Sequence, residues 1–385
     1  MDRPLQFIEQ LAGGLLVLFV LLDVFLTVLY ARMGSALWSR SVAFLTWRTF
    51  RAAAARLGRW QPVILSYCGP VILVLIVFTW SALLIVGMGL VVHPGLGTGI
   101  TATNGETPTN FLTALYVTGD SMTTVGTSDM GPRSGFYRFC YTVTSFLGIT
   151  MITLTLTYFI EVYSAVQTRN TFCLKMHTAT AETGDAAEFI AALGPQGNFQ
   201  GGYSQLAEVG AEVAQFKEMH HFYPVVFYFR FAESHYAMAR LALLMLDTVS
   251  LLRAGLSDKE FRWLQESAAV SQLWHGAMMM LRALGATFIP GGIPEGGPDY
   301  DAATCDRWRR RYLAATHRFR KTGIAVRADE EDGVRRYIEL RARWEHYVRA
   351  FAAYMSYQME EVDPAGCDPE GAQRRVTERT RLALE

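Results

Sequence analysis

The run Ser121-Met-Thr-Thr-Val-Gly-Thr-Ser-Asp-Met-Gly-Pro132 sets hydroxyls, glycines and backbone carbonyls in a short turn between two long uncharged segments. A polar, glycine-containing turn held between apolar helices can point its carbonyls at a passing cation. Irregular backbone survives at membrane depth only where it lines a water-filled path or is packed in protein. A second pattern follows it. Phe146, Thr150, Thr153, Thr157, Glu161 and Ser164 share one face of a helix at 3.6-residue periodicity. Hydroxyls on that face suit a wet cavity, with Glu161 gathering cations at its mouth. The competing reading is that the threonines bond their own helix or a neighbouring one.

Hydropathy shows which elements must hold these residues. The chain has 385 residues, 51% hydrophobic and only 18% charged, but the charge is unevenly spread. No Asp, Glu, Lys or Arg occurs from Gln61 to Gly105 or from Phe139 to Ile160. Crossing a bilayer takes about 20 apolar residues, and three runs qualify: Phe7–Tyr30, Val63–Val92 and Phe136–Tyr158. The first is too long for a cleavable signal peptide, and no small-residue cleavage site follows it. The Arg32–Trp60 loop carries Arg32, Arg40, Arg48, Arg51, Arg56 and Arg59 and no acid, whereas His93–Asn110 carries only Glu106. Excess Lys/Arg marks the cytoplasmic side. The expected topology is a multi-pass cell-membrane protein with its amino terminus outside and its carboxyl-terminal half inside. The turn at Ser121–Pro132 then opens from the outer face, behind a pore helix from Asn110 to about Met122 that Pro108 opens.

The segment from Asn110 to Glu161 resembles the pore module of the potassium-channel superfamily: pore helix, filter, outer turn and inner helix. That family's filter reads TTVGYGD. Thr123, Thr124, Val125, Gly126 and Asp129 match it, and Pro132 falls where the family often has its proline. The resemblance covers Val63 to about Val166. It implies that carbonyls of Thr124, Val125, Gly126, Thr127 and Ser128, with the Thr124 hydroxyl, replace an ion's hydration shell. One loop supplies a quarter of each ring, so a homotetramer is implied, closed by cyclic symmetry. The pore-helix carboxyl ends would present partial negative charge to the cation. Asp120 lies where some members carry a carboxylate behind the filter, close to Asp129. The two would share a proton and brace the loop, or Asp129 would simply cap the outer turn. Gly148 lies 22 residues after Gly126, at the spacing of the family's gating hinge, with close helix packing as the alternative.

The departures bear on selectivity. The family's tyrosine is Thr127 and its second glycine is Ser128, whose positive φ costs a non-glycine residue about 1–2 kcal/mol. Tyr116 and Val117 stand where a Trp-Trp brace is frequent. The inner sites are expected to survive and the outer ones to widen, leaving potassium preference and poor selectivity both open.

On a helix from Leu37 to Trp60, Arg40, Arg48, Arg51, Arg56 and Arg59 fall within an arc of about 160° at 100° per residue. Val42, Trp47, Phe50, Ala53, Leu57 and Trp60 take the opposite arc. This is the pattern of an interfacial helix with arginines among anionic headgroups. The arginines lack the every-third-residue recurrence of a voltage sensor. Asp23 is an ionisable group deep within the first span and calls for a partner or a function; Arg32 or an interfacial arginine is the expected partner. Gly69-Pro70 should kink the outer helix.

Beyond Asn170 the chain is charge-rich, with 25 basic and 28 acidic side chains, a near-balance that argues against a nucleic-acid partner. A small-residue linker is expected first. Helical patterns follow at about Gln205–Met219, Pro224–Arg253, Asp258–Leu284, Cys305–Gly323 and Asp332–Tyr357, and the last twenty residues read as a frayed end. His220, His221 and His235 admit a metal or proton-sensing reading beside plain capping and packing. Cys68, Cys140, Cys173, Cys305 and Cys367 show no paired spacing, so no disulfide framework or metal site is expected. No phosphate loop, nucleophile elbow or HExxH spacing marks an enzyme, and no catalytic residue or cofactor is expected beyond a permeant monovalent cation. The expected fold is an all-α membrane protein with three transmembrane helices, a re-entrant pore helix and filter loop per subunit. Its domains are 1–61 (first span and amphipathic helix), 62–169 (pore) and 170–385 (cytoplasmic helices). The function these features imply is a tetrameric channel passing potassium, with sodium permeation open, gated at the inner helices and modulated by the cytoplasmic domain. The alternative is a non-conducting membrane adaptor whose helical domain binds a partner.

Overall fold

The computed structural model describes residues 3–30, 32–123, 125–126 and 129–367. The chain divides into two compact units: Met1–Ala52 with Tyr67–Ala165 and His221–Phe229, and Ala53–Ser66 with Val166–His220 and Arg230–Glu385. Among the described residues three helices are long and apolar enough to cross a membrane, at Pro4–Leu29, Cys68–Gly95 and Gly135–Ala179.

In the first unit, α1 (Arg3–Val24) continues through a π-helical turn at Phe25–Leu29. After a short connection comes α2 (Trp38–Ala54). α3 (Gln61–Ser66) belongs to the second unit, and α4 (Cys68–Val92) follows it. The break before α4 falls at Tyr67, just ahead of Gly69-Pro70, because Pro70 has no N–H to give the carbonyl four residues back. α1 packs along α4 at two glycines: a Cβ on Gly13 would meet the Gly87 carbonyl oxygen at 2.4 Å, and one on Gly87 would meet Val17 Cγ2 at 2.9 Å. Membrane helices associate through such close backbone contact, since lipid offers no hydrophobic drive between them.

α2 is shorter than expected. It ends at Ala54, with Gly58 at φ +47° beyond it, so Arg56 and Arg59 lie past the helix. Its buried stripe is Ala43, Thr46, Trp47 and Ala54, and Trp47 sits 6.0 Å from the Tyr228 ring. Arg40, Arg48 and Arg51 occupy the exposed side, while Leu57 and Trp60, expected on the apolar arc, are exposed.

On either side of α5 (Phe111–Thr123) the chain forms a feature that its local patterns do not announce. β1 (Ile100–Ala102) pairs antiparallel with β2 (Met130–Pro132), Ile100 opposite Pro132. Beneath it Val92, Leu96, Ile100, Ala114, Val117 and Met130 make a small core, with Tyr137 packed against it. Gly95 and Gly99 leave room for the Tyr137 ring, which a Cβ would meet at 2.1 and 2.3 Å. α6 (Gly135–Ala179) then runs unbroken for 45 residues, through the position after Asn170 where a linker was expected.

The second unit is built around α9 (Met238–Gly255), buried along nearly its whole length. Around it lie α7 (Ala186–Leu193), α8 (Gln200–Phe222), α10 (Asp258–Gln265), α11 (Ala268–Phe288), α12 (Ala302–Lys321), α13 (Glu330–Ala342) and α14 (Glu345–Tyr354), with the short turns α15 (Met359–Val362) and α16 (Pro364–Cys367) at the end. Three expected helices are interrupted. Pro224–Tyr228 is a 3-10 segment, and α9 starts only at Met238, because buried Arg230 holds the intervening chain by donating to the carbonyls of Met355, Pro62 and Ser356. Ser267 splits α10 from α11 by accepting the Val270 N–H at 3.3 Å, and α13 ends ahead of Trp344. The heart of this unit is ionic: Asp247 of α9 accepts from Arg311 at 3.0 Å and from the Tyr337 hydroxyl at 2.5 Å. Arg341 bonds that same hydroxyl at 2.8 Å and Glu345 at 3.0 Å, and pairs with Asp363. The residues beyond Cys367 lie outside the described ones.

Candidate pore site

The pore-loop hairpin is assembled locally first. Asn110 caps α5 by accepting the Thr113 N–H at 2.9 Å, which closes the first turn. On α4, Gly89 leaves space for Leu115 of α5: a Cβ there would sit 3.0 Å from Leu115 Cδ2. At its far end α5 is fastened to α6. Ser145 Oγ donates to the Ser121 carbonyl at 3.1 Å, and Ser121 Oγ donates to the Tyr141 carbonyl at 3.2 Å. Gly148 lies directly under the end of α5, where a Cβ would stand 1.8 Å from the Met122 carbonyl oxygen. The geometry therefore gives Gly148 a close-packing role.

Of the loop itself, Val125 and Gly126 are described, and Thr124, Thr127 and Ser128 lie outside the described residues. Gly126 takes φ +68°, the left-handed region that glycine enters without strain. Val125 is exposed. The chain returns through Asp129, whose backbone carbonyl accepts the Thr103 N–H at 2.6 Å and joins the β1–β2 ladder. Asp120 is buried in the last turns of α5, while the Asp129 side chain is exposed. Tyr116 is half exposed and Val117 fully buried, so no aromatic pair braces the loop from these positions.

Below the loop, Thr150, Thr153 and Thr157 each donate to the carbonyl four residues back, at 2.8, 3.0 and 3.0 Å. Both sequence readings of these residues meet here. The hydroxyl protons are satisfied by the helix, yet Thr153, Thr157 and Glu161 are exposed and keep oxygen lone pairs outward. A row of exposed apolar side chains runs alongside, from Ile149 and Ile152 through Leu156 to Ile160 and Tyr163. At about 100° per residue the hydroxyl line and the apolar line divide one exposed arc of α6. Glu161 ends the polar line, and the Tyr223 hydroxyl donates to its Oε2 at 3.3 Å.

Asp23 meets different partners from the arginine expected. It is fully buried and accepts the Leu37 and Trp38 N–H groups at 2.8 Å each, the Ser39 N–H at 3.2 Å and hydroxyl at 2.5 Å, and the Trp80 indole N–H at 2.8 Å. It caps α2 and ties it to α4. Just past the end of α4, His93 joins Glu9 of α1 at 2.6 Å, and Gln10 donates to the Tyr137 hydroxyl at 3.1 Å.

His220, His221 and His235 do not converge on one site. His220 is buried, donates Nδ1–H to the Phe216 carbonyl at 2.9 Å and stacks on the Phe216 ring. His221 lies against Phe222, and His235 stacks on His177 at 4.6 Å. Among the described residues no three His, Cys, Asp or Glu side chains converge as a metal site requires. Burial pushes the His220 pKa down to about 3. The unfolded chain therefore binds a proton near pH 6.5 that the folded chain refuses until about pH 3. His220 should cost nothing above pH 6.5 and destabilise the fold progressively as pH falls from there. The slope of melting temperature against pH between 6.5 and 4 should flatten in His220→Phe; an unchanged slope would place the acid sensitivity elsewhere.

A helix, a re-entrant half-helix with its loop and a second membrane helix together define a pore-loop hairpin in a membrane protein. Residues 71–165, most of that hairpin, match the sequence model of a family described as "Ion channel". This segment is a two-helix, pore-loop ion-channel domain of the potassium-channel superfamily. Over a longer stretch the chain is similar to the uncharacterized membrane protein YdjJ of Bacillus subtilis (strain 168), 22% identical over 250 residues, covering 65% of this chain and 71% of that protein. No solved structure matches the chain.

Proposed function

We propose that four copies of this ion channel close around an axis and pass potassium, with weakened discrimination against sodium. The observation that carries this reading is the divided exposed arc of α6. A hydroxyl line descending from the pore-loop to a carboxylate suits a wet conduit, and the apolar line beside it suits a neighbouring subunit. Val125 and Gly126 keep the family's TVG order in sequence, and the Thr127 and Ser128 departures supply the reason for weaker selectivity. The amino terminus faces outward and the arginine-rich stretch inward, with Arg40, Arg48, Arg51, Arg56 and Arg59 among anionic headgroups. In this reading the carboxyl-terminal helices modulate a gate at the inner helices, and the run of α6 through residues of both units supports it.

A bi-ionic reversal potential on the purified protein in planar bilayers, potassium against sodium, tests the reading. The expected reversal is displaced from zero toward the potassium limit but short of it. A reversal at zero would sink the potassium preference, and silence from protein shown to be tetrameric would favour the adaptor. Glu161→Gln should lower unitary conductance by roughly twofold at low ionic strength. The deficit should vanish near 1 M salt, where the Debye length falls to about 3 Å. Equal conductance of mutant and parent at low salt would remove Glu161 from the mouth.

A further inference from the structure

The second unit contains a half-open cavity of about 800 Å³, floored by α11, walled by the loop 289–300 and closed by the end of α13. Trp274 and Met278 are its buried floor, and Met279 stands exposed beside them. Arg282 reaches the same space from α11, and Arg343 from the residue after α13. Arg253 lies over the Trp274 ring at 5.7 Å and bonds Ser271 at 3.4 Å. Its pKa is lowered first by burial and then by the like charge of Arg343. Among the described residues none of these three arginines is ion-paired, although Arg309, Arg311 and Arg327 of the same unit are. Glu295 on the rim is the one carboxylate among the lining residues.

The wall is built rather than loose. Gly297 approaches α13 so closely that a Cβ would meet the Ala342 carbonyl at 2.8 Å, and the His346 Nε2 contact to the Pro294 carbonyl, 3.1 Å, holds the loop in place. Guanidiniums facing one cavity with a single acid on its rim draw an anion toward it. Guanidiniums favour phosphate through paired N–H donors. A floor of tryptophan and methionine favours an apolar body and adapts to its shape.

We propose that this cavity binds a small phosphorylated metabolite carrying an apolar or aromatic body, its phosphates on Arg282 and Arg343 and its body on Trp274 and Met278. The inference is independent of the channel reading, because the test measures binding and not current. Titration calorimetry on the full-length protein in detergent, with ATP, pyrophosphate and adenosine as probes, decides it. ATP should bind measurably, pyrophosphate at least several-fold more weakly, and adenosine weakest of all. The Arg282→Gln/Arg343→Gln pair should weaken ATP at least tenfold at unchanged melting temperature of the unliganded protein. Glu295→Gln, which removes a repelling charge without touching the floor, should tighten it about two- to threefold. Failure of ATP to bind, adenosine binding as tightly as ATP, or an arginine pair without effect would each overturn the proposal.

Discussion

Gly148→Ala will cost the channel most of its current and will change which ions carry what remains. The added methyl carbon would lie 1.8 Å from the Met122 carbonyl oxygen and 2.8 Å from its carbon, and both are backbone atoms that no rotamer change can move aside. α5 must then shift away from α6, straining the Ser121–Ser145 fastening one helical turn earlier. Overpacking of this kind costs about 1–3 kcal/mol, and the displaced residue stands two positions before Thr124. A filter whose carbonyls move by a fraction of an ångström no longer matches an ion's hydration shell. We expect at least a tenfold loss of current and a reversal potential moved toward zero. A hinge role would behave differently: opening would slow while the permeability ratio stayed put. Gly119→Ala is the control, since a Cβ there meets nothing within 4 Å in the chain. Should Gly148→Ala change open probability alone, the packing role is refuted.

What could be read from the chain alone depended on how local its cause was. The three spans follow from long apolar runs, the α5 start from Asn110 and Pro108, and the Thr150–Glu161 line from helical periodicity. Each needs only neighbours in sequence. The β1–β2 ladder was missed because its strands are three residues each and 30 residues apart, with a β-branched Ile100-Thr101 pair as the one weak signal. The end of α2 at Ala54 was missed because an amphipathic pattern continues through Leu57 and Trp60, although Gly58 was there to be weighed as a stop signal. Arg230 defeats the helical pattern of Pro224–Arg253 by bonding carbonyls more than a hundred residues away, which no window over sequence contains. The departures at Thr127 and Ser128 are legible in sequence alone, since both lie outside the described residues. The cavity at Arg282 and Arg343 was invisible because its arginines come from separate helices and look like ordinary surface charge.

Asp23 shows the same division within one residue, and its replacement should be the most destabilising change in the first unit. A carboxylate in an apolar run announces that it has partners, but the sequence suggested an arginine. The fold uses the amino-terminal N–H groups of α2 instead, with their partial positive charge, and adds an indole from α4. In Asp23→Ala three amide donors, the Ser39 hydroxyl and the Trp80 N–H lose their acceptor at a buried site. Each orphaned donor costs about 1–3 kcal/mol, and because the donors relax together the total should be nearer 3–5 kcal/mol than their sum. Asp23→Asn keeps one acceptor oxygen for the Leu37 and Trp38 amides but turns an NH₂ toward Trp80, so roughly half that loss is expected. Trp80→Phe removes a single donor with its partner still satisfied and should cost about 1 kcal/mol beyond the change in packing. Thermal unfolding in detergent should rank the three in that order, while the channels that still assemble keep the parent's unitary conductance. If Asp23→Asn instead leaves the melting temperature alone and abolishes conductance, the residue serves an ion path and the anchoring account fails.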